Sequence, residues 1–390
     1  MDREKEMQSW CYLDNAAMTW PKPLRVRQAV ADAMVSGGGN PGRGAHKLSM
    51  KASVLVYRAR EAVAAMFGAS PEQVVFLQNT TYALNTAIKG LLHPGDHVLC
   101  SDLEHNAVLR PLEKRMREGQ GEYTVFPSFA CERGQTPEKI CAALEARILP
   151  QTRMVVCTHA SNICSAQMPL AEIGALCKKR GLLFVVDAAQ SAGILPIDMK
   201  RMQIDALCMP GHKGLYGPAA SGILVLRDGL CPRTLVEGGN GVASMEPTMP
   251  DTLPEALESG TLPVGAIAGL CEGIACVREL GIEEIGRHER RLSRAMTERL
   301  CGIRGVTVYL PWKSGAVVLF NADGIPCEAV AAALDREGIF VRAGYHCSAL
   351  GHQTLGTAQT GAVRASFGIF NQMRDVERLT DAVRALVRNG

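Results

Sequence analysis

The chain has 390 residues, 47% of them hydrophobic and 21% charged, and a formal net charge of +3. These fractions exclude collagen-like, low-complexity and disordered classes, and the length predicts two or three domains or lobes. The longest apolar runs, such as 182–186, are far shorter than the ~20 residues of a membrane helix, and 42 basic against 39 acidic residues favours no nucleic-acid partner. Residues 1–10 mix both charge signs without an apolar core, so we expect no secretory signal and no membrane association, and predict a soluble, cytoplasmic protein.

Short apolar runs alternate with amphipathic segments between about residues 50 and 230. The runs predicted as buried strands are 73–78, 97–101, 153–159, 182–187, 205–209 and 222–226. Helical segments lie between them, such as 80–92 and 170–181, and the second of these ends in a glycine. This alternation predicts the α/β class, with a largely parallel sheet and helices on both faces.

The pattern changes at about residue 265. One long helical region runs from 265 to 303, three strands are predicted in 305–344, and a final helix covers 374–389. Helices on one face of a small sheet form a plausible second lobe. We therefore expect an N-terminal arm (1–20) packed with the small domain, a large cofactor-binding domain (21–264) and a small C-terminal domain (265–390).

Fourteen cysteines are spread over the chain, and no pair has C-x-x-C spacing. Several lie within predicted strands, where a free thiol behaves as a small apolar residue. We therefore expect reduced thiols and no metal site. Cys347 is the candidate exception, because it lies in a polar loop between His346 and His352.

Polar residues follow two of the predicted strands. Lys213 comes after strand 205–209 in a loop with three glycines, which would let the backbone approach a bound group. A lysine beside a buried strand can lose its charge by desolvation and act as a nucleophile, although most lysines are surface groups. Asp187 ends strand 182–187, where ligands of open α/β sheets bind; its alternative is an ordinary helix N-cap.

Two further strands lead to polar side chains. Asn79, Thr80 and Thr81 begin a predicted helix, and free N–H groups with hydroxyls suit a phosphate, although one of the three could be a simple cap. His105 follows strand 97–101, where it could stack on a planar cofactor or be a loop histidine. Together, a lysine, a strand-end acid, a phosphate-suited helix start and a histidine are the parts of a pyridoxal 5′-phosphate site.

Ten motifs make the chain resemble class V aminotransferase-type, fold-type-I pyridoxal phosphate enzymes, and among them the cysteine desulfurases and selenocysteine-lyase-like enzymes. They are YLDNAA (12–17), NPGRGAH (40–46), NTTYALN (79–85), LEHNAV (103–108), THASNICS (158–165), VDAAQ (186–190), GHKGLYGP (211–218), ESGTL (258–262), VRAGYHCSALGH (341–352) and VRASFGIFN (363–371). The segment around Cys347 resembles the short-loop subgroup. The resemblance implies a large domain with a mostly parallel, seven-stranded-type sheet, a smaller α+β domain and a homodimer.

The resemblance also implies which residues bind the cofactor. Lys213 would hold it as a Schiff base and later carry the Cα proton. Asp187 would pair with the ring nitrogen, and His105 would stack over the ring and assist proton transfer. The ring hydroxyl would be held by Gln190 and Asn162, and the phosphate by Thr80, Thr81, His212 and, from the partner subunit, Thr261.

For the substrate, the resemblance implies that Arg364 clamps the carboxylate, with Asn162 and Arg342 beside it. A guanidinium fork suits bidentate carboxylate recognition. Cys347 would attack the sulfur of L-cysteine, leaving alanine and an enzyme persulfide for delivery to an acceptor, such as a sulfur-accepting protein. Positive charge nearby would favour its nucleophilic thiolate.

Three alternatives remain open at this stage. A selenocysteine lyase acting on L-selenocysteine would use the same residues. A class V aminotransferase or β-lyase would leave Cys347 without a catalytic role. A homologue lacking the cofactor would act as a scaffold, although Lys213, Asp187 and His105 argue against it.

Two positions depart from the family pattern. Pro210 stands where relatives usually carry a Ser or Thr that binds phosphate, and it supplies neither a hydroxyl nor an N–H. Leu262 and Pro263 follow Thr261 where relatives often have Pro-Asn. We therefore predict weaker cofactor retention.

Overall fold

The computed structural model describes residues 10–37, 39–42, 44–313 and 315–389. Its central element is a seven-stranded sheet. The strands are β2 (Val74–Leu77), β3 (Asp96–Ser101), β4 (Gly121–Phe126), β5 (Thr152–Thr158), β6 (Leu183–Asp187), β7 (Ala206–Pro210) and β8 (Gly222–Leu226). Their spatial order is β2-β8-β7-β6-β5-β3-β4, parallel from β7 to β4, with β8 antiparallel to both β2 and β7.

Helices cover both faces of this sheet, because its central strands are apolar on both sides. The described helices are α1 (Leu24–Ser36), α2 (Lys47–Phe67), α3 (Thr80–Leu91), α4 (Asn106–Arg117), α5 (Pro137–Glu145), α6 (Leu170–Arg180), α7 (Val264–Leu280), α8 (Ile282–Cys301), α9 (Cys327–Arg336), α10 (Ala349–Thr354) and α11 (Met373–Asn389). Gly181 ends α6 in the left-handed conformation, as predicted. The α/β fold class is confirmed.

A second apolar core lies under a four-stranded antiparallel sheet near the C-terminus. Its order is β12-β13-β10-β9, formed by β9 (Val306–Tyr309), β10 (Val317–Ala322), β12 (Arg342–Gly344) and β13 (Ala362–Ser366). Separately, β1 (Cys11–Tyr12) pairs in parallel with β11 (Ile339–Phe340). The N-terminal segment is thereby tied to the last third of the chain.

Three details differ from the sequence expectation. The single helix expected over 265–303 is two helices, because Gly281 between them has φ +85°. The strand expected at 339–344 is divided between two sheets. Strands β1, β4 and β13 were not predicted.

The predicted arm at 1–20 falls partly outside the described residues, since these begin at residue 10. The domain boundaries at 20 and 264 stay predictions. Within the described residues, no helix has both the length and the apolar character needed to cross a bilayer.

Candidate active site

A cavity opens where the central parallel strands end. It is lined by Asn79, Thr80, Thr81, His105, Ala107, Thr158, Ala160, Asn162, Asp187, Ala189, Gln190, Pro210, His212 and Lys213. Five strands (β2, β3, β5, β6 and β7) deliver these residues just at or beyond their carboxyl ends. Parallel strands bring those ends to one edge of the sheet, so residues spread over 135 positions meet in one site.

Lys213 lies three residues after β7. Its carbonyl accepts hydrogen bonds from the Tyr216 N–H (2.8 Å) and the Thr19 hydroxyl (3.1 Å), which fixes the backbone. Burial lowers the pKa of the amine to about 8, against an opposing effect of Asp187. The described residues offer this amine no hydrogen bond or ion pair. Lys213 is therefore a buried amine with a substantial neutral fraction near physiological pH.

The glycines around Lys213 have a different purpose from the one expected. A Cβ on Gly211 would lie 2.3 Å from the Ser221 Oγ, and one on Gly214 would lie 2.4 Å from the Ala192 carbonyl oxygen. The protein itself fills the space beside these glycines. They are required for packing of the lysine loop, which keeps Lys213 rigid.

Asp187 is 3% exposed at the end of β6. Its Oδ1 accepts a hydrogen bond from the Ala189 N–H (2.9 Å). Burial raises the pKa of this carboxyl, while the Ala189 N–H and the Lys213 charge lower it. The N-cap alternative is wrong, because turns rather than a helix follow Asp187. A buried acid of this kind needs a cationic partner.

The N-terminus of α3 forms one end of the cavity. Asn79 is the cap, since its Oδ1 accepts from the Tyr82 N–H (3.1 Å). Thr80 and Thr81 are then the first two helical residues, whose N–H groups have no partner within the helix. Across the cavity, the His212 ring has a buried Nδ1 without a hydrogen-bond partner among the described residues. This end of the cavity is suited to an anion.

His105 caps the next helix, α4. Its Nδ1 accepts a hydrogen bond from the Ala107 N–H (3.0 Å), so a neutral ring carries its proton on Nε2. Burial, reinforced by the Lys213 charge, lowers the pKa of His105 to about 4. The ring is therefore neutral at physiological pH.

Gln190 and Asn162 complete the cavity wall. The Gln190 amide donates to the Ala16 carbonyl (2.9 Å), which links the wall to the N-terminal segment. The Asn162 amide donates to the His346 carbonyl (2.8 Å), so it binds the loop that carries Cys347.

Arg364 lies on β13, opposite Arg342 on β12. Its Nη2 donates to Asp14 Oδ1 (2.7 Å) and its Nη1 to the Asn162 carbonyl (3.2 Å). Arg342 binds the same Asp14 carboxylate, with Nη2 2.9 Å from Oδ2. The buried Nε of Arg364 has no partner among the described residues. A cationic site with a free donor thus lies beside Asn162.

Cys347 is exposed, and a backbone hydrogen bond holds its loop against the start of α4. The Cys347 carbonyl accepts from the Asn106 N–H (2.7 Å), next to His105 in the chain. Both His346 (φ +50°) and Cys347 (φ +53°) adopt the left-handed conformation, which is unfavourable for residues with side chains. Strain of this kind persists only where the surroundings impose it.

The structure brings eight of the predicted site residues to the cavity: Lys213, Asp187, His105, Gln190, Thr80, Thr81, His212 and Asn162. Arg364 lies beside it, bonded to the Asn162 carbonyl. Arg342 and Cys347 adjoin this group. Thr261 is exposed and does not line the cavity of its own chain. Sequence reasoning missed Asp14 and Asn106. Asp14 lies in the motif 12–17, but no local pattern indicates that it pairs with residues more than 300 positions away.

The fold and the cavity are those of an α/β protein with a buried lysine amine and a buried carboxylate at the carboxyl edge of its sheet. The family model described as aminotransferase class-V matches residues 11–379. The chain belongs to this family, and the resemblance found in its motifs is confirmed.

Several cysteine desulfurases are similar to this chain over nearly their whole length. A probable cysteine desulfurase of Aeropyrum pernix is 34% identical, over 96% of this chain and 94% of the relative. One from Pyrococcus abyssi is 31% identical, over 97% and 94%. The apo structure of a cysteine desulfurase from Thermococcus onnurineus superposes with a TM-score of 0.89 at 30% identity, covering 99% of this chain and 96% of that one.

Proposed function

We propose that the protein is a pyridoxal phosphate-dependent cysteine desulfurase, which converts L-cysteine to L-alanine and retains the sulfur as a persulfide on Cys347. The observation that carries the proposal is the docking of the Cys347 loop. Its two strained residues accept hydrogen bonds from Asn106, which follows His105 in the chain, and from Asn162, which lines the cavity that contains Lys213. The names of the relatives point to the same activity.

The cavity fits the cofactor on three counts. The buried Asp187 forms no ion pair with another described residue, and a protonated pyridine nitrogen would supply that partner. The Lys213 amine has no partner among the described residues. The start of α3, with Thr80, Thr81 and the unpartnered Nδ1 of His212, would hold the phosphate, and Gln190 and Asn162 the ring hydroxyl. When bound, the cofactor supplies an electron sink for the substrate's Cα carbanion.

Arg364 would bind the substrate carboxylate. Its Nε is the unused donor of a guanidinium whose two Nη atoms are already held by Asp14 and Asn162. A carboxylate approaching Nε would meet a group fixed in orientation. Arg342, bound to the same Asp14, adds positive charge at this side of the site.

Lys213 and His105 would take part in proton transfer. The pKa of Lys213, near 8, leaves part of the amine neutral and able to take the substrate Cα proton. His105 is neutral and turns its Nδ1 to the backbone, so its Nε2–H is the donor left for the cavity. The neutral amine offers a lone pair and the neutral imidazole offers an N–H, so the two groups can act as base and donor.

Cys347 would perform the sulfur transfer. Its thiolate attacks the substrate sulfur, a sulfur–sulfur bond forms, and the substrate Cβ–S bond breaks with its electron pair left on Cβ. A proton then converts Cβ to the methyl group of alanine. The balance is L-cysteine plus enzyme thiol giving L-alanine plus enzyme persulfide, with no external oxidant.

The test is alanine release from L-cysteine by the holoenzyme with a thiol reductant. We expect turnover by the wild type, loss of more than 100-fold in Cys347→Ala, and wild-type rates in Cys301→Ala, a second exposed cysteine on α8. A labelled persulfide on the peptide containing Cys347 would identify the sulfur carrier. Equal turnover by Cys347→Ala would refute the role of this thiol.

The homodimer is part of the same proposal. Met34, Val35, Met50 and Tyr57 on α1 and α2 are 50–87% exposed, which is unusual for large apolar side chains. A second subunit covering them would also allow Thr261 to approach the partner's phosphate site. Sedimentation of the purified protein should give twice the mass of the chain, and Thr261→Ala should weaken cofactor binding.

All fourteen cysteines are unpaired, which supports action in the reducing cytoplasm, where the persulfide would pass to an acceptor.

A further inference from the structure

The ring of His346 belongs to a hydrogen-bonded chain that runs from Arg342 to Thr357. His346 Nε2 lies 3.3 Å from the Arg342 carbonyl oxygen, and its Nδ1 lies 3.2 Å from His352 Nε2. His352 Nδ1 lies 2.7 Å from the Thr357 hydroxyl. The two imidazoles are stacked at 12°, and His352 and Thr357 are almost completely buried.

The direction of this chain follows from its ends. The Arg342 carbonyl can only accept, so His346 Nε2 donates to it. Burial, with a smaller effect of Arg364, lowers the pKa of His346 to about 3, and burial also lowers that of His352, so both rings are neutral. A neutral imidazole has one N–H. The donors therefore run from the Thr357 hydroxyl to His352, from His352 to His346, and from His346 to Arg342.

The reverse direction does not satisfy these groups. If His346 donated from Nδ1, its Nε2 lone pair would face the Arg342 carbonyl oxygen. The Thr357 hydroxyl thus fixes the tautomer of two histidines in series. Its shorter contact, 2.7 Å, is to His352 Nδ1, and the same hydroxyl lies 3.4 Å from the His352 carbonyl oxygen.

This chain ends at the strained part of the Cys347 loop. The backbone of the loop is held by two carbonyl contacts, to Asn162 and Asn106. Those contacts fix the peptide groups. The hydrogen bonds between the two imidazoles and to the Arg342 carbonyl fix the His346 side chain and connect it to β12. The two backbone hydrogen bonds and the imidazole series thus place three constraints on two left-handed residues. A strained backbone conformation persists only when its surroundings impose it in this way.

We propose that His352 and Thr357 are positioning residues, which orient the His346 ring and through it hold Cys347 in its left-handed conformation. The consequence for sulfur transfer rests on the function proposed above. A displacement at sulfur requires the attacking atom at about 3–3.5 Å and in line, and a misplacement of about 1 Å can cost 100-fold. The Arg364 side chain makes no hydrogen bond to the two imidazoles or to Thr357 among the described residues, so we expect KM to change much less than kcat.

The test compares two substitutions in the holoenzyme. Thr357→Val keeps the volume and removes the hydroxyl, and Thr357→Ser keeps the hydroxyl and serves as the matched control. We expect Thr357→Val to lower kcat for alanine release about 10-fold with KM within twofold, and Thr357→Ser to retain at least half of wild-type kcat. In amide hydrogen exchange without substrate, Thr357→Val should accelerate exchange at Asn106 and across 345–352, while β5 and β6 stay protected.

The outcomes separate the two proposals. Wild-type kcat and exchange in Thr357→Val, or equal losses in Thr357→Val and Thr357→Ser, would overturn the positioning role. Accelerated amide exchange throughout the whole protein would also overturn the positioning role, because it would indicate general destabilisation. The exchange measurement needs no turnover. Local acceleration in a protein that releases no alanine would therefore support the positioning role and reject the desulfurase activity.

Discussion

The guanidinium of Arg364 donates a 2.7 Å hydrogen bond to Asp14, a residue 350 positions earlier in the chain. The same carboxylate binds Arg342. One acidic side chain thus pairs with two guanidinium groups, one of them almost completely buried, and a net positive charge remains. Asp14 is the structural support of the proposed carboxylate site.

Replacement of Asp14 by Asn should therefore destabilise the protein. Removing one partner of a buried ion pair leaves an uncompensated charge, and we expect the free energy of unfolding to fall by about 2–4 kcal/mol. Urea denaturation measures this change. Asp381→Asn, which breaks the exposed pair with Arg384, should change stability by less than about 0.5 kcal/mol. Equal effects of the two substitutions would contradict the assignment.

Arg364→Lys should impair substrate binding more than turnover. Lysine keeps the charge but loses the fork that contacts Asp14 and Asn162 and leaves Nε free. We expect kcat/KM for L-cysteine to fall about 100-fold, mainly through a higher KM. Initial rates of alanine release measure both constants, with Arg374→Lys on α11 as the surface control. A KM within twofold of wild type would remove Arg364 from carboxylate binding.

Pro210→Ser should strengthen cofactor retention. Pro210 lines the cavity at the end of β7, and a hydroxyl there would add a hydrogen bond to a charged phosphate, of about 1.5–3 kcal/mol. That range corresponds to a gain in affinity of roughly 10- to 100-fold. A cofactor-release titration monitored by absorbance provides the measurement. Pro247→Ser, at an exposed site, should leave the affinity unchanged.

Glu104 should make stability depend on pH. Its carboxyl is completely buried, accepts from the Ser101 hydroxyl and the Thr158 N–H, and has one oxygen without a partner among the described residues. Burial raises its pKa to about 8. The folded state therefore binds more protons than the unfolded state between about pH 4.5 and 8. The contribution of Glu104 to stability is complete below this window and is lost as pH rises through it.

The measurement is the free energy of unfolding as a function of pH. Within this window the wild type should lose up to about 1.4 kcal/mol per pH unit from this group. Glu104→Gln keeps the shape and removes the titration, so its profile should be flatter. Glu122→Gln, on the exposed face of β4, is the control and should follow the wild type. Parallel profiles of Glu104→Gln and wild type would show that Glu104 does not titrate there.

Sequence reasoning succeeded where the signal was local. Apolar runs such as 222–226 predicted central strands because those strands are buried on both faces. Lys213, Asp187 and His105 were found because each follows such a strand, and parallel strand ends meet. The half-exposed strand β4 was missed, since its mixture of Gly, Glu and Thr has no continuous apolar run.

What escaped prediction depends on contacts between distant segments. Strand β13 contains Arg364 and reads AVRAS, a run too short and too mixed to indicate a strand before its partners are known. The pairing of Asp14 with two arginines and the order of the imidazole chain both depend on tertiary packing. Gly281 was visible in the sequence, but only its backbone conformation shows that the helix stops there.

The link between residues 14 and 364 has a consequence for synthesis of the protein. Every residue that lines the cavity has been synthesised once residue 213 is added, about 150 residues before Arg364. At a translation rate of about 5–20 residues per second, the ribosome needs roughly 10–30 s to cover that distance. Until residue 342 is added, Asp14 lacks both of its arginine partners, and the thiol at 347 follows five residues later. The residues of the cavity are therefore synthesised well before the arginines proposed to bind the substrate carboxylate and the thiol proposed to take its sulfur.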